Sequence, residues 1–239
     1  MRKKNTYFQF KQFRIEQDKT AMKVSTEACI LGAYSHLDAP KTILDIGSGT
    51  GLLALMLAQR YSESQITTVE IESSAFLQAQ ENIINSAFSE QIRCIHQSIQ
   101  EFSSQVDYKY DMIVSNPPFY ENHLLSGNKE QDKALHQETL NFKEIIDTVK
   151  KHLESKGIFW LILPPYQMEQ FVSLAQESQL YLKNTLEIFH SPRHPLFRKI
   201  CSFIFYEIKP SQNVLYIKDK LENYTENFKN LLKDFYLAF

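Results

Sequence analysis

Short apolar runs alternate with amphipathic stretches along most of the chain. Residues 42–46, 65–71, 91–96 and 110–115 read as strands, and 52–61 and 73–87 between them carry apolar positions at helical spacing. Such alternation predicts an α/β fold: a doubly wound, mostly parallel sheet with helices on both faces. The polar stretch 121–137 holds Gly127, Asn128 and no apolar period, so it predicts a loop where a lid would sit. Thr139 or Asn141 then starts a helix to about Ser155 that Gly157 ends, and 158–163 is a buried strand stopped by Pro164-Pro165. A helix over 167–178 precedes 180–189 and 200–208, an antiparallel pair joined by the long loop 191–199. In the terminal helix expected over 223–236, Tyr224, Phe228, Leu231, Leu232 and Phe235 recur at helical spacing as core.

Residues 1–20 follow a different rhythm. Phe8/Phe10 and Phe13/Ile15 repeat with period two among Arg2, Lys3, Lys4, Lys11, Arg14 and Lys19, which predicts extended backbone. Two roles fit: an edge hairpin packing its aromatics on the core, or an arm that touches nucleic acid. Ser25 or Thr26 caps a helix to about His36. No internal repeat or low-complexity linker interrupts the chain. Residues 1–239 are therefore expected to form one domain, with an arm and helix over 1–38 and a catalytic core over 39–239.

Composition narrows the class. At 239 residues, 43% hydrophobic and 23% charged, the chain can bury a sizeable core. Its longest apolar runs fall far short of the ~20 residues that cross a bilayer, and residues 1–20 carry no signal-peptide core, so a cytoplasmic location is expected. A net charge of −2 and a pI near 6.4 argue against an indiscriminate nucleic-acid binder; any such contact is a local basic face. Cys29, Cys94 and Cys201 form no Cys-x-x-Cys pair, and His96, His123, His136 and His152 show no ligand spacing, so reduced thiols and no metal are expected.

Asp45-x-Gly47-x-Gly49-x-Gly51 follows the strand over 42–46 and opens a helix, which lets backbone approach a ligand at the strand's carboxyl end. A dinucleotide fingerprint would need glycine at position 52, where Leu stands, and no Gly-Lys-Ser/Thr follows. A donor without a pyrophosphate fits better. Glu70 ends the next strand, where an acid reaches paired ribose hydroxyls, with Glu72 the other candidate. Asp45, the glycines and Glu70 together indicate S-adenosylmethionine. Ser98 lies where the following loop meets the adenine end of that donor, or caps a helix; the two roles are compatible.

Asn116-Pro117-Pro118-Phe119 ends the strand over 110–115, adjacent in such a sheet to the first. The Asn116 side-chain carbonyl and the Pro117 carbonyl can accept both N–H bonds of a planar amine, so that its delocalised nitrogen pyramidalises and aims its lone pair at a methyl group. Pro118, Phe119 and Tyr120 would hold and stack on the ring that carries the amine.

The tetrapeptide with the donor motif resembles the amino-group methyltransferases. Phe8-x-Phe10-Lys11-Gln12-Phe13, Asp18, Ala21-Met22-Lys23-Val24-x-Thr26, Leu44-Asp45-Ile46-Gly47, Gly51 through Arg60, Gln78 through Asn82, Asn223-Tyr224-Thr225 and Phe235-Tyr236-Leu237 together resemble the tRNA1(Val) adenine-N6 methyltransferases over nearly the whole chain. That resemblance implies a seven-stranded methyltransferase fold and methylation of the adenine 3′ of the anticodon, number 37, in tRNA. It carries over Asp45, Gly47, Gly49 and Glu70 for the donor, Asn116 to Phe119 for the amine, and Lys23 and Thr26 near the donor's methionine end. Arg193 and Arg198, in a charged stretch following a proline, are candidates for a second RNA-contacting loop. A monomer or weak dimer is expected. Other readings are a methyltransferase acting on a protein glutamine amide and a non-catalytic RNA-binding module.

Overall fold

The computed structural model describes residues 6–20, 23–118 and 142–239. In chain order its first half comprises β1 (Tyr7–Gln9), β2 (Arg14–Glu16), α1 (Thr26–Tyr34), β3 (Thr42–Ile46), α2 (Leu52–Arg60), β4 (Gln65–Glu70), α3 (Ser73–Ile84), β5 (Ile92–His96), α4 (Ile99–Gln105) and β6 (Tyr110–Ser115). The second half comprises α5 (142–152), β7 (Leu153–Leu163), α6 (Pro165–Glu177), β8 (Tyr181–Phe189), β9 (Leu196–Ile204), β10 (Ser211–Tyr216) and α7 (Glu226–Leu232). The main sheet has eight strands in the order β10-β8-β9-β7-β6-β3-β4-β5. Strands β7, β6, β3, β4 and β5 run parallel, while β9 is antiparallel to both β7 and β8.

The strands are apolar on both sides because both sides are covered. Ile43, Met112, Val114, Ile158, Trp160 and Ile162 face one core with α1, α2 and α7; Leu44, Ile113, Phe159, Leu161 and Leu163 face the other with α5 and α6. This is the two-residue side-chain period of extended backbone. In α2 every residue from Leu52 to Ala58 is buried, each large side chain contributing roughly 1.5–3 kcal/mol on burial.

The doubly wound sheet and antiparallel C-terminal pair are as expected, with β10 as an eighth strand, paired parallel to β8. Several boundaries move, among them the terminal helix expected over 223–236, which spans only Glu226–Leu232 behind its cap Thr225. The helix expected to reach Ser155 ends at 152, and Leu153 already pairs with Tyr110. Gly157 is not a helix stop: it lies within β7 beside a register shift, where a Cβ would stand 2.8 Å from the Asp111 carbonyl oxygen. The pair partner expected over 200–208 begins at Leu196, so Arg198 and Lys199 lie in a strand between β7 and β8, not in the loop. Among the described residues no helix is long and apolar enough to cross a membrane.

The N-terminal hairpin packs its aromatics inward. Phe10, Phe13 and Ile15 are buried, Phe10 stacks on Phe13 at 4.5 Å, and the Lys11 N–H donates to the Phe235 carbonyl. Tyr7 stays exposed beneath the Arg14 guanidinium.

The hairpin also reaches the glycine-rich turn. Buried Asn82 of α3 accepts from the Glu16 N–H and donates to the carbonyls of Glu16 and Thr50, all at 2.9 Å. Nearby, the Gln78 side chain accepts from the Lys19 N–H at 3.0 Å. Asn82→Ala strands these backbone groups and is expected to lower unfolding stability by about 2–4 kcal/mol, read from urea denaturation.

Candidate active site

The carboxyl ends of β3, β4, β5 and β6 are stitched together. Gly47 N–H donates to Val69 O at 2.9 Å, Gln97 N–H to Glu70 O at 3.0 Å, and the buried Ser115 hydroxyl to Ile46 O at 2.9 Å. Ile46 and Ser115 are also register partners. The loops that follow β3 and β6 therefore open onto one space, a cavity of about 540 Å³.

Its wall carries Gly47, Gly49, Glu70, Asn116, Pro117 and Pro118, which the sequence reading placed in two separate motifs. Gly47 and Gly49 adopt φ of +81° and +53°, and a Cβ at either would meet no described atom within 4 Å. Those angles disfavour any L side chain, and the open space leaves room for a ligand against bare backbone. The Glu70 carboxylate is held by two amides, Gly49 N–H at 2.8 Å and Glu72 N–H at 2.9 Å. Glu72 itself lines the cavity but mainly caps α3, accepting from the N–H groups of Ser74 and Ala75.

Asp45 lies one residue beneath this wall and is fully buried. One oxygen accepts from the Thr68 hydroxyl at 3.2 Å; the other has no hydrogen-bond partner among the described residues. Burial pushes its carboxyl up to about 8, the Thr68 hydrogen bond pulls the other way, and the nearby Glu70 charge adds to the rise. A buried acid short of one partner suits a place beside a cationic ligand.

The remaining site residues fall elsewhere. Ser98 caps α4 reciprocally with Glu101 and is absent from the cavity wall, where its neighbours Gln97, Ile99 and Gln100 stand instead. Thr26 opens α1 behind its cap Ser25, and neither Thr26 nor Lys23 lines the cavity. Phe119, Tyr120, the loop 121–137 and Ala21-Met22 lie outside the described residues. Arg193 is exposed on the turn before β9. Arg198 is corrected from loop to strand: it is 7% exposed, near Glu27 at 3.7 Å. Sequence reasoning missed Thr20, Ile71, Phe142 and Ile145 on the wall. The capping box Ser98-x-x-Glu101 was a legible sign of α4; nothing local marks Phe142.

The chain matches the family model for the methyltransferase small domain over residues 31–177. It is 39% identical to a tRNA1(Val) (adenine(37)-N6)-methyltransferase of Dyadobacter fermentans, the alignment covering 99% of each chain. The chain belongs to this methyltransferase family. A second member, from Flavobacterium psychrophilum and carrying the same name, is also 39% identical, over 96% of this chain and 99% of its own. Among solved structures, one described as a predicted O-methyltransferase from Agrobacterium tumefaciens superposes with a TM-score of 0.69 at 18% identity, covering 87% of this chain and 95% of that one. At that identity the likeness shows the fold alone.

For Asp45 the folded state holds its proton more tightly than the unfolded chain, whose value is 3.8. Its contribution to stability is full below about 3.8 and is lost as pH rises through about 8. In the ligand-free protein, Asp45→Asn is expected to flatten the decline of Tm between about pH 4 and 8, measured by thermal melts across that range.

Proposed function

We propose that the chain transfers the methyl group of S-adenosylmethionine to the exocyclic N6 of adenine 37 in tRNA1(Val), beside the anticodon, in the cytoplasm. The observation that carries this reading is the shared wall: Asn116 and Pro117, whose carbonyls would accept from an amine, line the same cavity as the glycine turn and Glu70. The relatives' names support adenine in tRNA as the acceptor.

The cavity residues fit the donor. Glu70 would accept from its ribose hydroxyls, Ile71 and Ile99 would flank its base, and Gly47 and Gly49 would make room for its amino-acid end above Asp45. The donor supplies an electrophilic methyl group on sulfonium sulfur. The protein's part is to present the nucleophile. Asn116 Oδ1 and the Pro117 carbonyl take the two N–H bonds of N6, which localises the lone pair and stabilises the positive charge that grows on nitrogen. The proton becomes acidic only once the methyl has arrived, so no strong base is needed before attack. Phe119 would stack on the adenine, which single-stranded anticodon loops can turn out of the helix.

Incubation of the chain with labelled donor and unmodified tRNA, followed by nucleoside mapping, is expected to place N6-methyladenine at position 37. Label in protein instead would contradict it. At saturating donor, Asn116→Ala should lose ~100-fold or more in kcat, the scale of one preorganised polar group at a reacting centre.

A further inference from the structure

A second cavity, about 460 Å³, opens beside the first at the same carboxyl edge of the sheet, lined by Pro164, Pro165, Gln167, His190, His194, Leu196, Phe197 and Arg198 among others. Its place is fixed by pairing. Ser115 at the end of β6 pairs with Leu161 of β7, and Leu163 at the end of β7 pairs with Lys199 of β9. The mouth of β9 is thus two strand spacings, roughly 10 Å, along the edge from Asn116.

The lining combines the flat rings of His190, His194 and Phe197 with one guanidinium, that of Arg198. The rings of His190 and Phe197 lie 4.1 Å apart by centroids, and the Arg198 guanidinium carbon sits 4.1 Å from the Phe197 centroid. Ser191 holds His194 by a 2.9 Å hydrogen bond. His190, Arg193 and His194 are exposed. Glu169 and Glu187 face Lys199 at 3.4 and 3.9 Å, and Arg198 pairs with Glu27 at 3.7 Å. Stacking surface beside donors is the chemistry that holds single-stranded nucleic acid, rings taking a base and Arg or His taking its phosphate.

We infer that this second cavity is a subsite for the nucleotide adjoining the methylated base, its base set against His190 and Phe197 and its phosphate near the exposed His194 and Arg193. The subsite rests on the proposed RNA methylation and deepens it. It lets the enzyme grip the strand on one side of the adenine that enters the first cavity. Specific contact with base edges is not required for that grip; the backbone and a stacked ring set the register.

The test compares full-length wild type, His190→Ala/His194→Ala and His190→Tyr in methylation of unmodified tRNA. The double variant is expected to raise KM for tRNA by ~10-fold, the scale of one lost stack, with donor affinity by calorimetry and kcat retained. His190→Tyr, which keeps a ring, should restore most of the KM. An unchanged KM in the double variant overturns the subsite while leaving the methylation intact, whereas wild type that methylates no RNA overturns both. Tighter binding of adenosine monophosphate than of an anticodon stem-loop, with histidine signals followed by NMR, would assign the pocket to a free nucleotide and also overturn the subsite.

Discussion

The site depends on one adjacency: β3 and β6 lie side by side in parallel, in register at Ile46 and Ser115, and the Ser115 hydroxyl reaches across to the Ile46 carbonyl. Gly47 and Gly49, Glu70, and Asn116 to Pro118 of the cavity wall are carried at those two strand ends and that of their neighbour β4. Because the strands are parallel and locked, the glycine turn and Asn116-Pro117-Pro118 emerge on the same side and cannot drift apart without breaking sheet pairing. Two prolines stiffen the second loop further, since each fixes its own φ. A preorganised acceptor pair needs that rigidity.

Around this scaffold the polar groups are economical. Glu70 is fixed by two backbone amides rather than by a cation, so its orientation is set by the glycine turn it helps to hold. Asp45 is sealed beneath, with burial opposing its charge. The hairpin, tied through Asn82 to both Glu16 and Thr50, braces the turn from the other side. Thr20, four residues beyond the hairpin, joins the cavity wall. The arm's basic-aromatic pattern thus serves packing at Phe10, Phe13 and Ile15, which are buried.

Much of the fold was legible because the strands over 42–46 and 110–115 are short, apolar and flanked by glycines or prolines, which leave little room for another reading. The glycine turn and the Asn-Pro-Pro run were legible for a related reason: both need special backbone geometry, and sequence records that directly. What was hidden depends on tertiary pairing. The start of β9 at Leu196 overrides the charge of Arg198 and Lys199, since Arg198 is accommodated by Glu27 and Lys199 by Glu169 and Glu187. Gly157 reads as a helix stop until the Asp111 carbonyl is seen pressed against it. Phe142 and Ile145 line the cavity from α5, far along the chain from either motif. Ser98 shows the opposite case, where the local role as a helix cap accounts for the side chain and its neighbours take the wall.

The most direct measurement is a crystal structure with S-adenosylhomocysteine and an anticodon stem-loop bound together. The shared-cavity reading predicts adenine 37 turned out of its stack, with N6 within hydrogen-bond distance of Asn116 Oδ1 and the Pro117 carbonyl, and Glu70 on the ribose hydroxyls of the cofactor. An adenine bound away from Asn116, or a cofactor whose ribose does not touch Glu70, would contradict it.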